Sequence, residues 1–227
     1  MKNFVSTSLI ITTLNEIDGI KKILPEIKKE WVDEIIIVDG GSTDGTVEKA
    51  REMGFKVIKQ KIRGYGGAIL TGIEESVGDK IIIFGADGSN ETSEIPQLVE
   101  KSLDGFDQVT ISRFGKTSIN EDAGIIDGFG NKMFAFITNI FFGGKMTDTL
   151  SSSRLFTRKA ILEIKLNELS LCAVEQISAR GMKRKQRFYE IIGNERARIG
   201  GERKMHRVPT GAALVALIIK EFIFWKI

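Results

Sequence analysis

The amino-acid sequence predicts an α/β domain with a mostly parallel central sheet and helices on both of its faces. Short apolar runs alternate with amphipathic segments through the first half of the chain, a pattern typical of strands joined by right-handed helical crossovers. Turns rich in Gly, Asp and Ser follow the apolar runs. The length of 227 residues and the hydrophobic content of 42% fit one domain with a substantial core.

The first half of the chain predicts four strands and three connecting helices. The amphipathic stretch after the first strand carries Ile20, Ile23, Leu24 and Ile27 on one face. The run at 81–84 consists of bulky apolar residues only, as expected of a strand buried on both faces. The predicted strands are 9–12, 34–38, 55–58 and 81–84, and the predicted helices are 17–30, a segment ending near 53 and a segment ending near 77.

The second half of the chain is less regular. Residues 114–128 contain glycines and polar residues and predict a mobile loop. The last segment, 211–227, is apolar but carries Lys220, Glu221 and Lys226. It is too short and too charged to span a membrane, so we expect a helix that lies at a membrane interface or packs on the domain. The other predicted strands are 108–112, one near 155 and 188–192, and the other predicted helices are 129–142, 158–164 and 171–181.

Basic residues are concentrated between positions 180 and 207, although the net charge is only +3. Such a run forms a solvated face, an RNA contact or a contact with an anionic membrane surface. Few aromatic residues interrupt it and no RNA-binding module is present, so the sequence argues against nucleic acid and favours the membrane surface. The single Cys172 excludes an internal disulfide, and the lone His206 argues against a zinc site.

Two carboxylates are predicted at the carboxyl edge of the sheet, where open α/β sheets bind ligands. Asp87 follows the strand at 81–84, and Asp39 ends the strand at 34–38. Asp87 either holds a hard cation that bridges a diphosphate or caps the helix or turn that follows. Asp39 either accepts from the N–H edge of a uracil or guanine base or closes a tight turn with the glycines after it. The residues alone leave both choices open.

Five motifs occur in a definite order along the chain. They are Leu14-Asn15-Glu16, VDGGSTDGT from Val38, RGYGGA from Arg63, GADGS from Gly85 and Ser112-Arg113. This order resembles the nucleotide-sugar half of family-2 glycosyltransferases with the GT-A fold. Two later stretches, 130–156 and RIGGERK at 198–204, resemble the branch that includes dolichol-phosphate mannose and glucose synthases. The likeness covers most of the chain.

The resemblance implies roles for individual residues. It implies that Asp39 reads the base and that Asp87, together with Ser89, binds Mg²⁺ or Mn²⁺. The donor-binding residues that it implies are Leu14, Asn15, Glu16, Asp39, Gly41, Arg63, Gly66, Ala86 and Asp87. The catalytic residues that it implies are Asp87, Arg113, Asp148 and Glu175, and the residues for the acceptor phosphate are Arg154, Arg198 and Lys204.

The chain departs from the pattern of this family in three places. Gly85 stands where the family usually has the first Asp of Asp-Ala-Asp, and Ser89 replaces a more frequent amide or acidic residue. Ser152 and Ser153 replace the usual Gly-Phe of the acceptor motif. A missing carboxylate lowers the negative charge of the predicted metal site, so we expect weaker metal binding.

The resemblance implies an inverting transferase that moves a hexose from a GDP- or UDP-sugar to polyprenyl or dolichyl phosphate. It implies a catalytic domain over 1–208, divided near residue 113 into donor and acceptor halves, and an apolar tail over 209–227. Arg196 and Arg203 are further candidate cations for the acceptor phosphate. Transfer to a soluble or cell-wall acceptor is one alternative, and a non-catalytic nucleotide-sugar-binding module is another.

The expected location of the site is the cytosolic face of a membrane. The first apolar run lacks a signal-peptide pattern because Ser6, Thr7 and Ser8 interrupt it. We therefore expect a cytoplasmic protein that associates peripherally with the membrane. The sequence leaves the sugar, the nucleotide and the oligomeric state open.

Overall fold

A seven-stranded sheet forms the centre of the part of the chain that the structure describes. This computed structural model describes residues 5–121, 124–202 and 204–226. The strands are β1 (Thr7–Thr13), β2 (Glu34–Asp39), β3 (Lys56–Lys59), β4 (Lys80–Gly85), β5 (Gln108–Ser112), β6 (Arg154–Thr157) and β7 (Phe188–Ile192). The helices are α1 (Ile17–Ile23), α2 (Thr46–Glu52), α3 (Tyr65–Glu75), α4 (Glu94–Lys101), α5 (Ile125–Phe142), α6 (Arg158–Ile164), α7 (Ala173–Lys183) and α8 (Arg207–Phe224).

The strands lie in the order β3-β2-β1-β4-β6-β5-β7. Neighbouring strands are parallel except for β6, which runs antiparallel to both β4 and β5. The predicted α/β fold with a mostly parallel sheet is therefore confirmed. The register pairs Thr13 with Asp39 and Thr12 with Gly85, so the carboxyl ends of β2, β1 and β4 lie side by side.

The hydrophobic core occupies both faces of the sheet. Along β1, Leu9 and Ile11 pack in the cluster on one face, and Ile10 packs in the cluster on the other. In β4, Ile82 and Ile83 are divided between the faces in the same way. These side chains are almost fully buried, which explains why the central strands read as continuous apolar runs rather than as alternating ones.

Three helices differ from the sequence prediction. Helix α1 ends at Ile23 instead of near residue 30, and two short 3₁₀ turns follow it. Pro25 has no N–H group to donate to the carbonyl four residues earlier, so it cannot continue the α-helical ladder. Helix α4 has no counterpart in the prediction. Helix α5 begins at Ile125, inside the segment that was expected to be a loop.

The C-terminal helix α8 packs against α5 and α7. Its inner face contributes Leu214, Leu217 and Ile218 to an apolar cluster that also contains Cys172. Burial raises the pKa of the Cys172 thiol, in keeping with the inert role that its apolar surroundings suggested. Within the described residues, no helix combines the length and apolar character that crossing a membrane requires.

Candidate functional site

Asp39 lies at the carboxyl edge of the sheet, where the sequence predicts a ligand crevice. It ends β2 and is 4% exposed. Its carboxylate accepts hydrogen bonds from the backbone N–H groups of Gly41 (2.7 Å) and Ser42 (3.0 Å) and from the Ser42 hydroxyl (2.5 Å). Gly41 has φ +102°, a conformation that favours glycine. Asp39 therefore closes the turn after β2, and its contact with a base stays a prediction.

The loop after β1 is fastened to the same turn. Asn15 adopts φ +55°, and its N–H donates to the Ser42 hydroxyl oxygen (2.8 Å). Its side-chain oxygen accepts from the backbone N–H of Thr43 (2.8 Å). The N–H of Glu16 donates to the hydroxyl oxygen of Thr46 (3.0 Å). These bonds fix the backbone of Glu16, whose side chain is 7% exposed, at the edge of the sheet.

Asp87 lies in the turn that follows β4. Its Oδ1 accepts from the backbone N–H (3.1 Å) and the hydroxyl (2.8 Å) of Ser89. Helix α4 begins only at Glu94, so Asp87 is not its N-cap. The Asp87 side chain is 26% exposed, whereas Ala86 and Ser89 are buried. Oδ1 of Asp87 is thus engaged in the turn, whereas Oδ2 is paired with Arg198.

Two cations from the segment 198–204 meet these carboxylates. Arg198 donates through Nη1 to Oε1 (2.8 Å) and Oε2 (3.0 Å) of Glu16, and through Nη2 to Oδ2 of Asp87 (3.2 Å). Lys204 Nζ lies 3.2 Å from Oε1 of Glu16. Burial raises the pKa of Glu16, and the charges of Arg198 and Lys204 offset this effect in part. The basic pair predicted for the acceptor therefore lies at the donor carboxylates. Arg203 lies outside the described residues.

Backbone hydrogen bonds hold the same segment over the edge of the sheet. The N–H of Arg196 donates to the carbonyl oxygen of Ser89 (2.8 Å), and the N–H of Ile199 donates to that of Asp87 (2.9 Å). The Ile199 side chain packs on Gly88, where an added Cβ would lie 2.6 Å from it. Residues 196–199 therefore form a strap that crosses the turn carrying Asp87.

Arg113, at the end of β5, is clamped between two carboxylates. Its Nε and Nη2 donate to the two oxygens of Asp148 (2.7 and 3.1 Å), and its Nη1 donates to Glu195 (2.9 Å). Burial lowers the pKa of Arg113, but the charges of Asp148 and Glu195 outweigh it and raise the value overall. For Asp148, burial alone would raise the pKa, but the charge and hydrogen bonds of Arg113 outweigh burial and hold the pKa below its ordinary value. Both groups of the Arg113–Asp148 pair therefore stay charged.

Arg154 and Glu175 lie in a buried polar cluster beneath the edge. Arg154 is 1% exposed and donates to the Ser178 hydroxyl (2.8 Å) and to the Thr149 carbonyl (3.3 Å). Burial lowers its pKa to about 10. Glu175 on α7 accepts from the Thr138 hydroxyl, and burial raises its pKa to about 7. Neither side chain joins the crevice at Asp87, so contact with an acceptor stays a prediction for both.

Three further residues were predicted to bind the donor, namely Leu14, Arg63 and Gly66, and for each of them this contact stays a prediction. Leu14 is 40% exposed and lies against Gly40, and Arg63 is exposed just before α3. Gly66 is buried; its N–H donates to the carbonyl of Leu169 (2.9 Å), and the adjoining backbone leaves no room for a side chain. The glycines of RGYGGA therefore allow close packing of α3 against a neighbouring loop, which is a structural reason for their presence.

Asp87 and its surroundings fit a hard divalent cation that is shared with a ligand. Within the described ranges, no group of three or more His, Cys, Asp or Glu side chains has the arrangement of a metal site. Asp87 Oδ2 already faces one cation, the Arg198 guanidinium, beside a second carboxylate from Glu16. Phosphate oxygens and water would complete the shell of Mg²⁺ or Mn²⁺. The residues present are therefore compatible with the predicted metal.

Comparison with known proteins identifies the family. The model of the family described as Glycosyl transferase family 2 matches residues 8–165, which is more than half of the chain. The chain belongs to this family. The resemblance to family-2 glycosyltransferases predicted from the five motifs is therefore confirmed.

Two proteins of Haloferax volcanii are similar to this chain in sequence. A dolichyl-phosphate hexose transferase is 28% identical over 224 residues, covering 96% of this chain and 94% of the relative. Glycosyltransferase AglJ is 29% identical over 165 residues, covering 70% of this chain and 52% of the relative. The chain thus spans about half the length of the second relative and nearly the full length of the first.

A solved structure of the same architecture supports the fold. Glucosyl-3-phosphoglycerate synthase from Mycobacterium tuberculosis, in complex with Mn²⁺, uridine-diphosphate-glucose and phosphoglyceric acid, superposes with a TM-score of 0.75 at 17% identity. The superposition covers 99% of this chain and 82% of the synthase chain. At this identity the likeness establishes the GT-A fold that the sequence predicted.

Glu195 is a residue of the site that sequence reasoning missed. It is 7% exposed, accepts from Arg113, and also accepts from the side-chain amide of Asn120 (2.7 Å). It lies three residues after the end of β7, inside the segment 180–207, which is rich in basic residues. An acidic residue after a strand is the signal that revealed Asp39 and Asp87, and the same rule applied to β7 finds Glu195.

Proposed function

We propose that this protein is an inverting glycosyltransferase that moves a hexose from a nucleotide-diphosphate sugar to a polyprenyl phosphate such as dolichyl phosphate. One observation carries the proposal: Oδ2 of Asp87, the oxygen that is not bonded to Ser89, is paired with the guanidinium of Arg198 at the carboxyl edge of the sheet. A metal-binding carboxylate and a phosphate-binding cation are thereby within reach of the same two substrates. The Haloferax dolichyl-phosphate hexose transferase, which aligns along nearly its whole length, supports the acceptor class.

The chemistry suits a site with few proton-transfer groups. A polyprenyl phosphate is a monoester whose second pKa is about 6, so at neutral pH it is largely a dianion and already a nucleophile. The chain has one histidine, His206, in the basic segment. The protein then needs mainly to align the acceptor phosphate with the anomeric carbon and to stabilise the departing diphosphate. Direct displacement of this kind inverts the anomeric configuration.

The side chains of the crevice divide this work. Asp87, with Ser89 bonded to its other oxygen, would hold Mg²⁺ or Mn²⁺, and that metal neutralises charge on the leaving diphosphate when it is bound. Arg198 and Lys204 are the cations for the acceptor phosphate, since guanidinium and ammonium groups bind phosphate oxygens well. Arg113 is held by Asp148 and Glu195, which largely neutralise its charge. Its main part in the proposed reaction is to fix the wall of the crevice.

A transfer assay tests the proposal. The protein is incubated with labelled UDP- or GDP-sugars, with and without Mn²⁺, together with dolichyl phosphate in one series and phosphoglyceric acid in another. Donor binding and the label in the organic and aqueous phases are measured. Metal-dependent label in the organic phase is the expected result. Donor binding without any product would favour a non-catalytic binding module, the alternative that Gly85 motivates, and label that stays in the aqueous phase on a phosphorylated small acceptor would favour a soluble substrate. Either result overturns the polyprenyl-phosphate assignment.

The outer faces of α5 and α8 support peripheral association with a membrane. Their inner faces are buried, but Phe136 and Ile140 on α5 are each 64% exposed, and Ile223 and Phe224 on α8 are 56% and 73% exposed. The two helices contact each other, with the rings of Phe141 and Phe222 4.9 Å apart. An apolar face of this kind, with exposed Lys132 and Lys220 on the same helices, suits the interface of an anionic bilayer.

Vesicle co-sedimentation tests this part of the proposal. Double substitution of Ile223 and Phe224 by Ser changes exposed side chains only, so the fold should be retained. We expect the variant to co-sediment much less with vesicles that contain phosphatidylserine. Val77→Ser, which alters an apolar residue that is 79% exposed after α3, serves as the control. Equal sedimentation of the double variant and the natural protein would refute membrane docking through this face.

A further inference from the structure

We propose that Arg198 is a built-in counter-cation that covers the metal-binding oxygen of Asp87 until metal and donor displace it. The inference deepens the proposed function and rests on it. It predicts an order of events in which the donor with its metal binds first, and in which its binding releases Arg198 for the acceptor phosphate. The observations that support it are the pairing of Arg198, the division of labour between the Asp87 oxygens and the glycines beside the strap.

Arg198 is paired with two carboxylates, and one of them, Asp87, is the proposed ligand of the metal. Its guanidinium contacts both oxygens of Glu16 and one oxygen of Asp87, at 2.8, 3.0 and 3.2 Å. The side chains of Arg198, Glu16 and Asp87 are 18%, 7% and 26% exposed. Partly buried charges of this kind are screened less than surface pairs, so the pairing contributes to the conformation of the free protein.

The two oxygens of Asp87 have different tasks. Oδ1 accepts both hydrogen bonds from Ser89 and keeps the turn in shape. Oδ2 is the oxygen that faces the crevice, and Nη2 of Arg198 lies 3.2 Å from it. A divalent cation bound to Oδ2 would stand beside the guanidinium, and like charges a few ångströms apart repel strongly in a partly dry site. Metal and Arg198 therefore compete for this oxygen.

Two glycines next to the strap leave room for the Arg198 side chain. Gly200 and Gly201 follow Ile199 and have φ +68° and +65°. An added Cβ at Gly201 would lie 2.7 Å from Oε2 of Glu16 and 3.2 Å from Nη1 of Arg198. Consecutive glycines permit backbone conformations that other residues resist. Residue 198 lies between two backbone anchors, the bonds from Arg196 to Ser89 and from Ile199 to Asp87. The Arg198 side chain would therefore leave Asp87 by rotation about its own bonds, and the missing Cβ at Gly201 leaves room beside Nη1 for that rotation.

Displacement gives Arg198 its second partner. Once the metal neutralises Asp87, the guanidinium is without one of its carboxylates and is available to the phosphate of the acceptor. The coupling is reciprocal. The Arg198–Asp87 pair lowers the affinity of Asp87 for the metal, and the bound metal weakens the Arg198–Asp87 pair by the same free energy. Arg198 would then have two states. In the free protein it pairs with Glu16 and Asp87, and after the metal binds it pairs with the acceptor phosphate, as the family resemblance implies.

Binding of Mn²⁺ to the full chain, without any sugar nucleotide, tests the inference. Free Mn²⁺ is measured by its electron paramagnetic resonance signal during titration. Because Arg198→Gln removes the competing cation, we expect it to bind Mn²⁺ roughly tenfold more tightly than the natural protein. Arg198→Lys, which keeps one positive charge, should give an intermediate affinity and guards against a folding defect in the Gln variant.

Arg196→Gln is the matched control. Arg196 pairs with Glu91 (3.2 Å) and its side chain is 52% exposed, so its removal lowers the charge of the strap by the same amount without freeing Asp87. Its Mn²⁺ affinity should equal that of the natural protein. Arg198 variants that bind Mn²⁺ no more tightly than Arg196→Gln, or that bind none, would overturn the competition. The transfer assay is a separate readout, so product formation by the natural protein would leave the proposed function intact in that case.

Discussion

Arg180 on α7 and Glu221 on α8 form a buried ion pair with nitrogen–oxygen distances of 2.7 and 2.9 Å. Their side chains are 5% and 1% exposed. Gln176 also donates to the Glu221 carboxylate (2.6 Å), and the ring of Trp225 lies 4.9 Å from the Arg180 guanidinium. Glu221 thus points into the protein and fixes α8 there, which leaves the opposite side of the helix exposed.

Removal of the Glu221 charge should loosen α8. Glu221→Ala leaves Arg180 buried without its partner, and such a loss costs about 3–5 kcal/mol in the free energy of unfolding. Urea denaturation followed by circular dichroism measures the change. Lys220→Ala, one residue away and exposed, is the control and should alter stability little. Equal midpoints for the two variants would contradict a stabilising role for the pair.

Asp87→Ala should abolish metal-dependent use of the donor. The substitution removes the carboxylate that is proposed to hold the metal, so we expect a fall in transfer of roughly 100-fold or more. Asp87→Asn keeps the shape and the acceptor for Ser89 but lacks the charge, and it should fail nearly as badly. Initial rates over a range of Mn²⁺ concentrations measure both. Full activity in either variant would count against Asp87 as the metal ligand.

Much of the fold follows from local sequence patterns. The strand at 108–112 and the helix at 158–164 have the bounds that were predicted, because their apolar spacing and flanking polar residues leave little choice. The direction of β6 could not be predicted, because a short apolar run does not reveal whether the strand pairs parallel or antiparallel with its neighbours. The early end of α1 could have been predicted from Pro25 alone.

The position of the candidate carboxylates in the fold could be predicted from the sequence, but the ion pairs that they form could not. Acidic residues after β2 and β4 located the edge of the sheet, and parallel strands bring such ends together. The contact of Arg198 with Asp87 joins residues 111 positions apart, and no local pattern encodes it. The depth of Arg154 and Glu175 likewise depends on how α7 covers the sheet. Motif order identified the family, whereas packing decides which charges meet.

Gly85→Asp should restore a carboxylate and strengthen metal binding. An added Cβ at position 85 lies 3.6 Å from both the Asn90 amide nitrogen and Asp87 Oδ1, which is ordinary contact. We therefore expect the fold to accept the side chain and the Mn²⁺ affinity to rise roughly tenfold, since affinity for hard cations grows with ligand charge. Calorimetric titration measures it.

Gly85→Asn is the control for the Asp substitution, because it has the same shape without the charge. Its Mn²⁺ affinity should stay near that of the natural protein. If the Asn and Asp variants behave alike, the effect comes from shape, and position 85 lies outside the reach of the metal.

Glu94 should make the protein less stable as the pH rises. This first residue of α4 is 3% exposed, and burial, followed by the charge of Glu91, raises its pKa to about 8 from an ordinary 4.5. Below pH 4.5 both folded and unfolded carboxyl groups are protonated, so Glu94 has no effect. Between pH 4.5 and 8 the unfolded state loses its proton while the folded state keeps it, and the free energy of unfolding falls; above pH 8 the loss is complete.

Glu94→Gln removes this dependence, because a neutral amide replaces a carboxyl group that is largely protonated at neutral pH. The variant should match the natural protein near pH 4.5 and exceed it by roughly 5 kcal/mol at pH 8.5. Urea denaturation at pH 5, 6.5 and 8.5 measures the difference. Glu100→Gln, at an exposed position of the same helix, is the control, and a surface change of this kind should alter the free energy of unfolding little. A Glu94→Gln curve that runs parallel to that of the natural protein would show that Glu94 ionises normally in the folded state.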